Sequence, residues 1–355
     1  MSRYDIAIVG AGMAGAGLAA ALAGEARVLL LEAEDRPGYH STGRSAAFWS
    51  ETYGGPMIQP LTSASRAALA PFLSPRGCIH LADADGVDAL AALADEFAGS
   101  AVPLRPLSRP ELETRLPGLR PGWEQGLAEP TCADIDVAAL HASCLRAAGA
   151  GLVVNARLQA AERREGYWSI ATTSGGFEAG ILVNAAGAWA DAVALLAGEK
   201  PLGITPYRRT IVQLRTDPPA PADLPLIVDA LEHFYFKPEA GGRLWLSPHD
   251  ETLSAPCDCA PEELDVAIAI DRLERVVDWR IAAVEHKWAG LRSFAPDRLP
   301  VYGFSDSSRG FFWCAGQGGF GIQTAPAASA LAAGLLLGRP AGAIDPAPYS
   351  AVRFA

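Results

Sequence analysis

The sequence predicts an α/β fold in which one discontinuous domain carries a second domain inserted into it twice. Three observations predict it. A βαβ unit of about 30 residues opens the chain. A second strand–glycine turn–helix closes it. Between them, strand and helix signals of the first kind recur, whereas residues 201–295 are rich in short strand signals.

In chain order, Tyr4–Val9 (YDIAIV) reads as an apolar strand, Gly10–Gly17 as a glycine-rich turn and Leu18–Ala23 as a small-residue helix. Val28–Leu31 is a second strand, ending at Glu32. Residues 61–130 are mixed, rich in Pro and Arg, with a strand around Cys78–Leu81. Asp134 and Asp136 precede a helix at Val137–Ala148, where acidic groups favour the positive helix end. Strands follow around Leu152–Val154, Trp168–Ala171 and Ile181–Asn184. In the β-rich stretch, Ile211–Leu214, His233–Phe236 and Leu244–Leu246 are short runs bounded by Gly and Pro, joined by one strong helix at Pro261–Val277. Phe311–Cys314 is a strand, Gly316–Gly321 a turn and Ile322–Leu337 a helix. These elements place the first domain at 1–60, 131–200 and 296–355, and the second at 61–130 and 201–295.

Half of the 355 residues are hydrophobic and 19% are charged, enough apolar material for a large core. The net charge of −11 argues against a nucleic-acid partner, which requires a basic face. The six cysteines form no paired framework, which fits a reducing compartment. Cys257-Asp258-Cys259 has no further Cys or His beside it, so it reads as a loop with two thiols and no metal is expected. Met-Ser-Arg-Tyr-Asp runs straight into the first strand, and no stretch of about 18 apolar residues occurs. The expectation is a cytoplasmic protein without a transmembrane segment.

Gly10, Gly12 and Gly15 form G-x-G-x-x-G between a strand and a helix. Gly10 permits the tight turn, Gly12 the approach of phosphate, and Gly15 close packing of helix on strand. The helix start offers free N–H groups to a pyrophosphate. Glu32, at the end of the second strand, can accept from ribose hydroxyls and would repel a 2′-phosphate. That pattern points to a dinucleotide but does not separate NAD from FAD. The stretch GYHSTGRSAAFWSETYGG, Gly38–Gly55, begins to do so. Ser41, Thr42, Gly43, Arg44 and Ser45 offer small hydroxyls before a short helix, plus a charge able to meet phosphate. The turn Gly316–Gly321 then supplies a second loop and a helix dipole, which suits a long FAD better than NAD.

Gly10–Gly15, Glu32, HSTGRSAA, LVNAAGAWAD (Leu182–Asp191), WAGLRSF (Trp288–Phe294) and GQGGFGIQT (Gly316–Thr324) together resemble the D-amino-acid oxidase superfamily of FAD enzymes. Within it, the chain is similar almost end to end to bacterial FAD-dependent D-arginine dehydrogenase. The resemblance implies a Rossmann-like FAD domain with an inserted α+β substrate domain built on a mixed sheet. It implies cofactor contacts from Ser41, Thr42, Arg44, Ser45, Ala46, Leu158, Ala186, Gly187, Trp189, Gly318, Gly319, Phe320, Gly321, Ile322 and Gln323. It also assigns Arg209 and Arg292 to the substrate carboxylate, for which paired guanidinium donors are well suited. Tyr53 and Tyr235 match tyrosines beside that carboxylate. Ile322 and Gln323 border flavin and substrate. Arg208 is expected on the opposite strand face from Arg209.

The departures from D-arginine dehydrogenase concern the side-chain pocket. Phe48 stands where that enzyme has His, and Cys78 follows Ser74-Pro75-Arg76-Gly77 where it has a Glu. Without a partner carboxylate a buried guanidinium is penalised by roughly 3–5 kcal/mol, so neutral, apolar or aromatic D-amino acids are expected over D-arginine, with Glu51 as a conceivable rescue. The reaction expected is oxidative deamination to a 2-oxo acid and ammonia, by hydride transfer from Cα to flavin N5. A 2-hydroxy acid or N-methyl amino acid oxidoreductase, or a catalytically silent nucleotide-binding module, are the alternatives. The six histidines offer no triad: His141 reads as structural and His233 as the one to test for titration. Arg292 occupies the position aligned with the flavin-linking Cys of some relatives, so non-covalent FAD is expected. The electron acceptor is left open between quinone, another carrier and oxygen.

Overall fold

The computed structural model describes residues 3–340 and 342–355. Two large sheets and a small one organise them. The eight-stranded sheet has Arg3–Val9 at its middle, parallel to Val28–Leu31 on one side and to Gly175–Asn184 on the other. Gly175–Asn184 carries Tyr167–Thr172 antiparallel on its first half and Phe311–Ala315 parallel on its last three residues. Leu29, Leu30 and Leu31 are all buried, as expected for a parallel strand covered on both faces. One cover includes the helix Met13–Ala21 against Ala325–Leu336; Trp168, Trp313 and Phe311 fill the other side.

The second sheet has nine strands, drawn from residues 78–129 and 205–294. Its spine is the pairing of Thr205–Asp217 with Arg280–Phe294. Alternation along Thr205–Asp217 divides its side chains. Val212 and Leu214 pack with Phe236, Leu246, Leu273 and Val276 into a core under the helix Glu263–Val276. Arg208, on that same face, is held by Asp265 at 2.8 Å and by Glu262. Arg209 and Ile211 point to the opposite face, toward the eight-stranded sheet. A three-stranded sheet of Phe48–Trp49, Ala133–Ile135 and Leu73–Pro75 lies in the stretches that link the two. Among the described residues no helix is long and apolar enough to cross a membrane.

Several boundaries differ from expectation. The first helix starts at Met13, not Leu18, so Gly15 and Gly17 lie inside it. Close packing outweighs their poor helix propensity there: a Cβ on Gly17 would fall 2.5 Å from Ser329 Oγ. The run His233–Phe236 becomes the strand Tyr235–Glu239, because Asp229 accepts from the His233 N–H and folds the preceding residues into a turn. The last helix begins at Ala325, three residues later than expected, with Pro326 in its first turn. Residues 61–130 hold three helices, Gln59–Leu69, Val87–Phe97 and Arg109–Arg115, the first starting just before that stretch. Val137–Ala148 forms as expected, and Asp136 caps it by accepting from the Ala139 N–H at 2.9 Å.

Candidate active site

A cavity of about 440 Å³ runs between the two large sheets. It collects most of the residues singled out from the sequence. Gly10, Gly12, Glu32, Ser41, Thr42, Arg44, Ser45, Ala46, Leu158, Ala186, Gly187 and Trp189 line it from the N-terminal and middle segments. Arg209, Tyr235 and Arg292 line it from the nine-stranded sheet, and Gly318, Gly319, Gly321 and Ile322 from the last turn. Three of the residues expected at the cofactor are not on its wall. Gly15 packs beneath the turn, where a Cβ would fall 1.9 Å from Gly10 O. Phe320 packs between Tyr53 and Phe294, with ring centroids 5.1 and 6.1 Å away. Gln323 is buried, and its amide is consumed by Ser50 N, Tyr53 O and Thr62 Oγ1.

Polar groups brace the glycine turn from all sides. Glu32 accepts the Ala11 N–H at 2.9 Å and the Glu34 N–H at 3.0 Å. His141 reaches Ala11 O through Nε2 at 2.9 Å, and burial lowers its pKa. Thr42 Oγ1 accepts the Met13 N–H at 2.9 Å, and Ser41 Oγ donates to Leu291 O. Arg44 differs from expectation. Its guanidinium donates to Cys259 O and Ala289 O and pairs with Asp258, so its charge ties this loop to the nine-stranded sheet. Arg44 nevertheless stays on the cavity wall.

The nine-stranded sheet presents two guanidinium groups to the cavity. Arg209 is 4% exposed; Nε donates to Asp250 O, Nη2 lies 3.3 Å from Glu251, and Nη1 has no hydrogen-bond partner. Arg292 has no carboxylate within 4 Å among the described residues, and its Cζ lies 5.8 Å from the Tyr53 ring. Burial, then the Arg292 charge, lower the Arg209 pKa to about 10. Burial also works against the Arg292 charge, but Tyr53 and Tyr235, with Glu251 and Asp250 behind them, more than offset it and raise its pKa. Two cations with spare donors, set in a largely apolar sheet, form a ready grip for an anion.

Beside this grip opens a chamber of about 820 Å³. Phe48, Tyr53 and Tyr235 form its aromatic end, with Phe48 5.3 Å from Tyr53 and 6.1 Å from Tyr235. Cys78, Leu226 and Val228 continue the wall, and burial, then Cys132, raise the Cys78 pKa well above the usual thiol range. Sequence reasoning missed the carboxylates at its lining: Asp95, Glu96 and Glu232 are exposed, while buried Asp229 is taken by His233. Glu51 is not on this wall; its carboxylate is engaged by Ser63.

The histidine singled out for a titration test does not line the chamber. His233 is 57% exposed and off the chamber wall, although its partner Asp229 lines it. His249 and His80 line it instead. Burial, then Arg209 and Arg292, push the His249 pKa down to about 2, and burial alone takes His80 to about 4. The available signal was position. Tyr235 pairs with Ser247, so the strand end just beyond Ser247 delivers His249 to the same side.

A family of FAD-dependent oxidoreductases (DAO) matches residues 5–335. The chain belongs to this family. Glycine oxidase from Geobacillus kaustophilus (strain HTA426) is 27% identical over 373 residues, spanning 99% of this chain and 97% of that protein. The crystal structure of glycine oxidase from G. kaustophilus superposes with a TM-score of 0.86 at 26% identity, covering 99% of this chain and 98% of that one. Reduced, FAD-bound L-alpha-glycerophosphate oxidase from Mycoplasma pneumoniae gives 0.85 at 16% identity, covering 95% of each chain. L-Proline dehydrogenase from P. horikoshii gives 0.83 at 20%, covering 96% of this chain and 95% of that one. At those last identities the likeness shows the fold alone.

FAD is the cofactor of this DAO-family protein. The residues present fit it. Gly10, Gly12, Gly187, Gly318 and Gly319 leave stretches of the cavity wall as bare backbone, which a dinucleotide can approach closely. Glu32 borders the cavity at the end of the second strand, where a ribose carboxylate partner belongs.

Proposed function

We propose that this DAO-family protein catalyses the oxidative deamination of D-amino acids to 2-oxo acids and ammonia. One observation carries the reading: Arg292 without a carboxylate partner and Arg209 with a buried unpaired Nη1 face one cavity beside two tyrosines. FAD, when bound, would supply the hydride acceptor for oxidation at Cα. The chain's own residues fix the substrate for it. Arg292 and Arg209 hold the carboxylate, Tyr53 and Tyr235 donate to it, and the aromatic end of the chamber takes the side chain. The imine product hydrolyses in water. We read FAD as non-covalent, and the eight-stranded sheet with residues 1–60, 131–200 and 296–355 as its binding unit.

The D preference rests on the resemblance; the side-chain class rests on the chamber. Its volume exceeds what glycine needs, which sets this reading apart from the activity named for the G. kaustophilus relative. Phe48, Tyr53 and Tyr235 favour neutral, apolar or aromatic side chains. Four lining carboxylates disfavour acidic ones. A long cation would meet exposed Asp95, Glu96 and Glu232, which hydration weakens as partners, or buried Asp229, which His233 already engages, so D-arginine ranks below D-leucine, D-methionine and D-phenylalanine.

Anaerobic bleaching of the flavin against D- and L-amino acids, glycine, N-methyl amino acids and 2-hydroxy acids tests the reading, with ammonia measured on turnover. Bleaching by the neutral D-series with ammonia release is expected. Bleaching by 2-hydroxy acids alone, or a large preference for D-arginine, overturns it.

A further inference from the structure

Glu129 is a buried carboxylate that the chemistry above does not use. It is 0% exposed, and among the described residues no cationic side chain lies within 4 Å of it. Three donors hold it: Ser50 Oγ at 2.7 Å, Thr52 Oγ1 at 2.6 Å and the Glu51 N–H at 2.7 Å. All three belong to the tripeptide just before Tyr53. Thr52 spends its only proton on Glu129, so at 3.1 Å it accepts from His80 Nε2 in the chamber wall. From the other side Gln323 accepts the Ser50 N–H at 3.2 Å and donates to Tyr53 O at 3.1 Å. The segment Ser50–Tyr53 thus hangs between a carboxylate of the nine-stranded sheet and an amide of the last turn.

Fold stability alone does not call for a carboxylate here. Burial raises the Glu129 pKa, and a well-packed apolar side chain would carry no such desolvation cost. What the carboxylate adds is direction: three converging donors allow the segment one position. That position lodges the Tyr53 hydroxyl against Gly319 and its ring beside Arg292.

We propose that Glu129 is a positioning residue, which sets the Tyr53 hydroxyl beside Arg292 and so tunes affinity for the ligand carboxylate. The proposal rests on the reading that Arg292 and Tyr53 bind a carboxylate. A double-mutant cycle on the FAD-loaded protein tests it. Benzoate, a carboxylate without an amine, is titrated by its effect on flavin absorbance, and FAD content is measured alongside. Glu129→Gln is expected to raise the benzoate Kd about tenfold with FAD content unchanged, since one oxygen acceptor is lost. In a Tyr53→Phe background the same change is expected to raise it less than about twofold, because the hydroxyl it positions is gone. Equal effects in both backgrounds, or none in the first, overturn the proposal. If Glu129→Gln loses FAD, Ser50→Ala removes one of the three bonds and is judged by the same cycle, with about a threefold rise expected. Wild-type protein that binds no benzoate overturns instead the carboxylate reading beneath.

Discussion

Around Gly10 the cavity is made of backbone and small residues; around Arg292 it is made of long side chains that meet from distant parts of the chain. The first region draws on one turn, its strand and its helix, all within residues 3–32. The second assembles Tyr53, Arg209, Tyr235, His249 and Arg292 from five separate stretches. A site of the first kind is fixed by shape, because its glycines admit no side chain. A site of the second kind is fixed by charge held in a poor solvent. The two should therefore fail differently, one by losing FAD and the other by losing chemistry with FAD in place.

The largest effect tests the shape side. A Cβ at Gly15 would collide at 1.9 Å with Gly10 O, a backbone atom that cannot swing aside. Gly15→Val is expected to abolish FAD binding, read as colourless purified protein. Retention of FAD with near-normal affinity would break the contrast. On the charge side, Arg292→Ala is expected to keep FAD and to lose about 10³-fold in kcat/KM, as when one partner of a buried, hydrogen-bonded pair is removed. Loss of FAD in Arg292→Ala would show that the two regions are not separable.

The same difference explains what the sequence revealed. Gly10, Gly12, Gly15 and Glu32 sit at fixed spacings in one βαβ unit, so local rules suffice to read them. The helix Val137–Ala148 was legible for the same reason, with Asp136 as its cap. Arg209 and Arg292 were singled out mainly through the resemblance, since nothing local distinguishes a cavity-facing Arg from Arg208, which its acidic neighbours hold. His249 was not legible, because its role depends on a strand pairing made across the sheet. The Arg44 ion pair was not legible for a related reason: Asp258 lies more than 200 positions away in the chain.

A smaller effect sharpens the charge side. Burial and the Arg292 charge depress the Arg209 pKa to about 10, whereas that of Arg292 is raised. Below pH 10 both groups are cationic; as pH rises through 10, Arg209 loses its proton first. The benzoate Kd is expected to stay flat to about pH 9 and then to climb about tenfold per pH unit above 10. Benzoate carries no amine, so the break does not belong to the ligand. In Arg209→Gln the affinity is weaker at every pH and the break disappears. A break that survives in this variant would assign it to another group.

The smallest effect concerns stability. His80 is held neutral by burial with a pKa of about 4, and His249 likewise with about 2. In the unfolded chain both titrate near their ordinary value of about 6.5. Between those values the unfolded state binds more protons than the folded one, so acid favours unfolding. The stability is present above pH 6.5 and is lost as pH falls toward the folded pKa values. His80 alone is expected to lower Tm by roughly 2–4 °C between pH 7 and pH 5. Glutamine at this position can still donate to Thr52 but cannot take up the proton. His80→Gln should therefore flatten this part of the Tm–pH curve while His249 keeps its share. An unchanged slope in His80→Gln would mean that His80 is solvated, and that the chamber wall at Thr52 is wetter than the substrate end of this comparison requires.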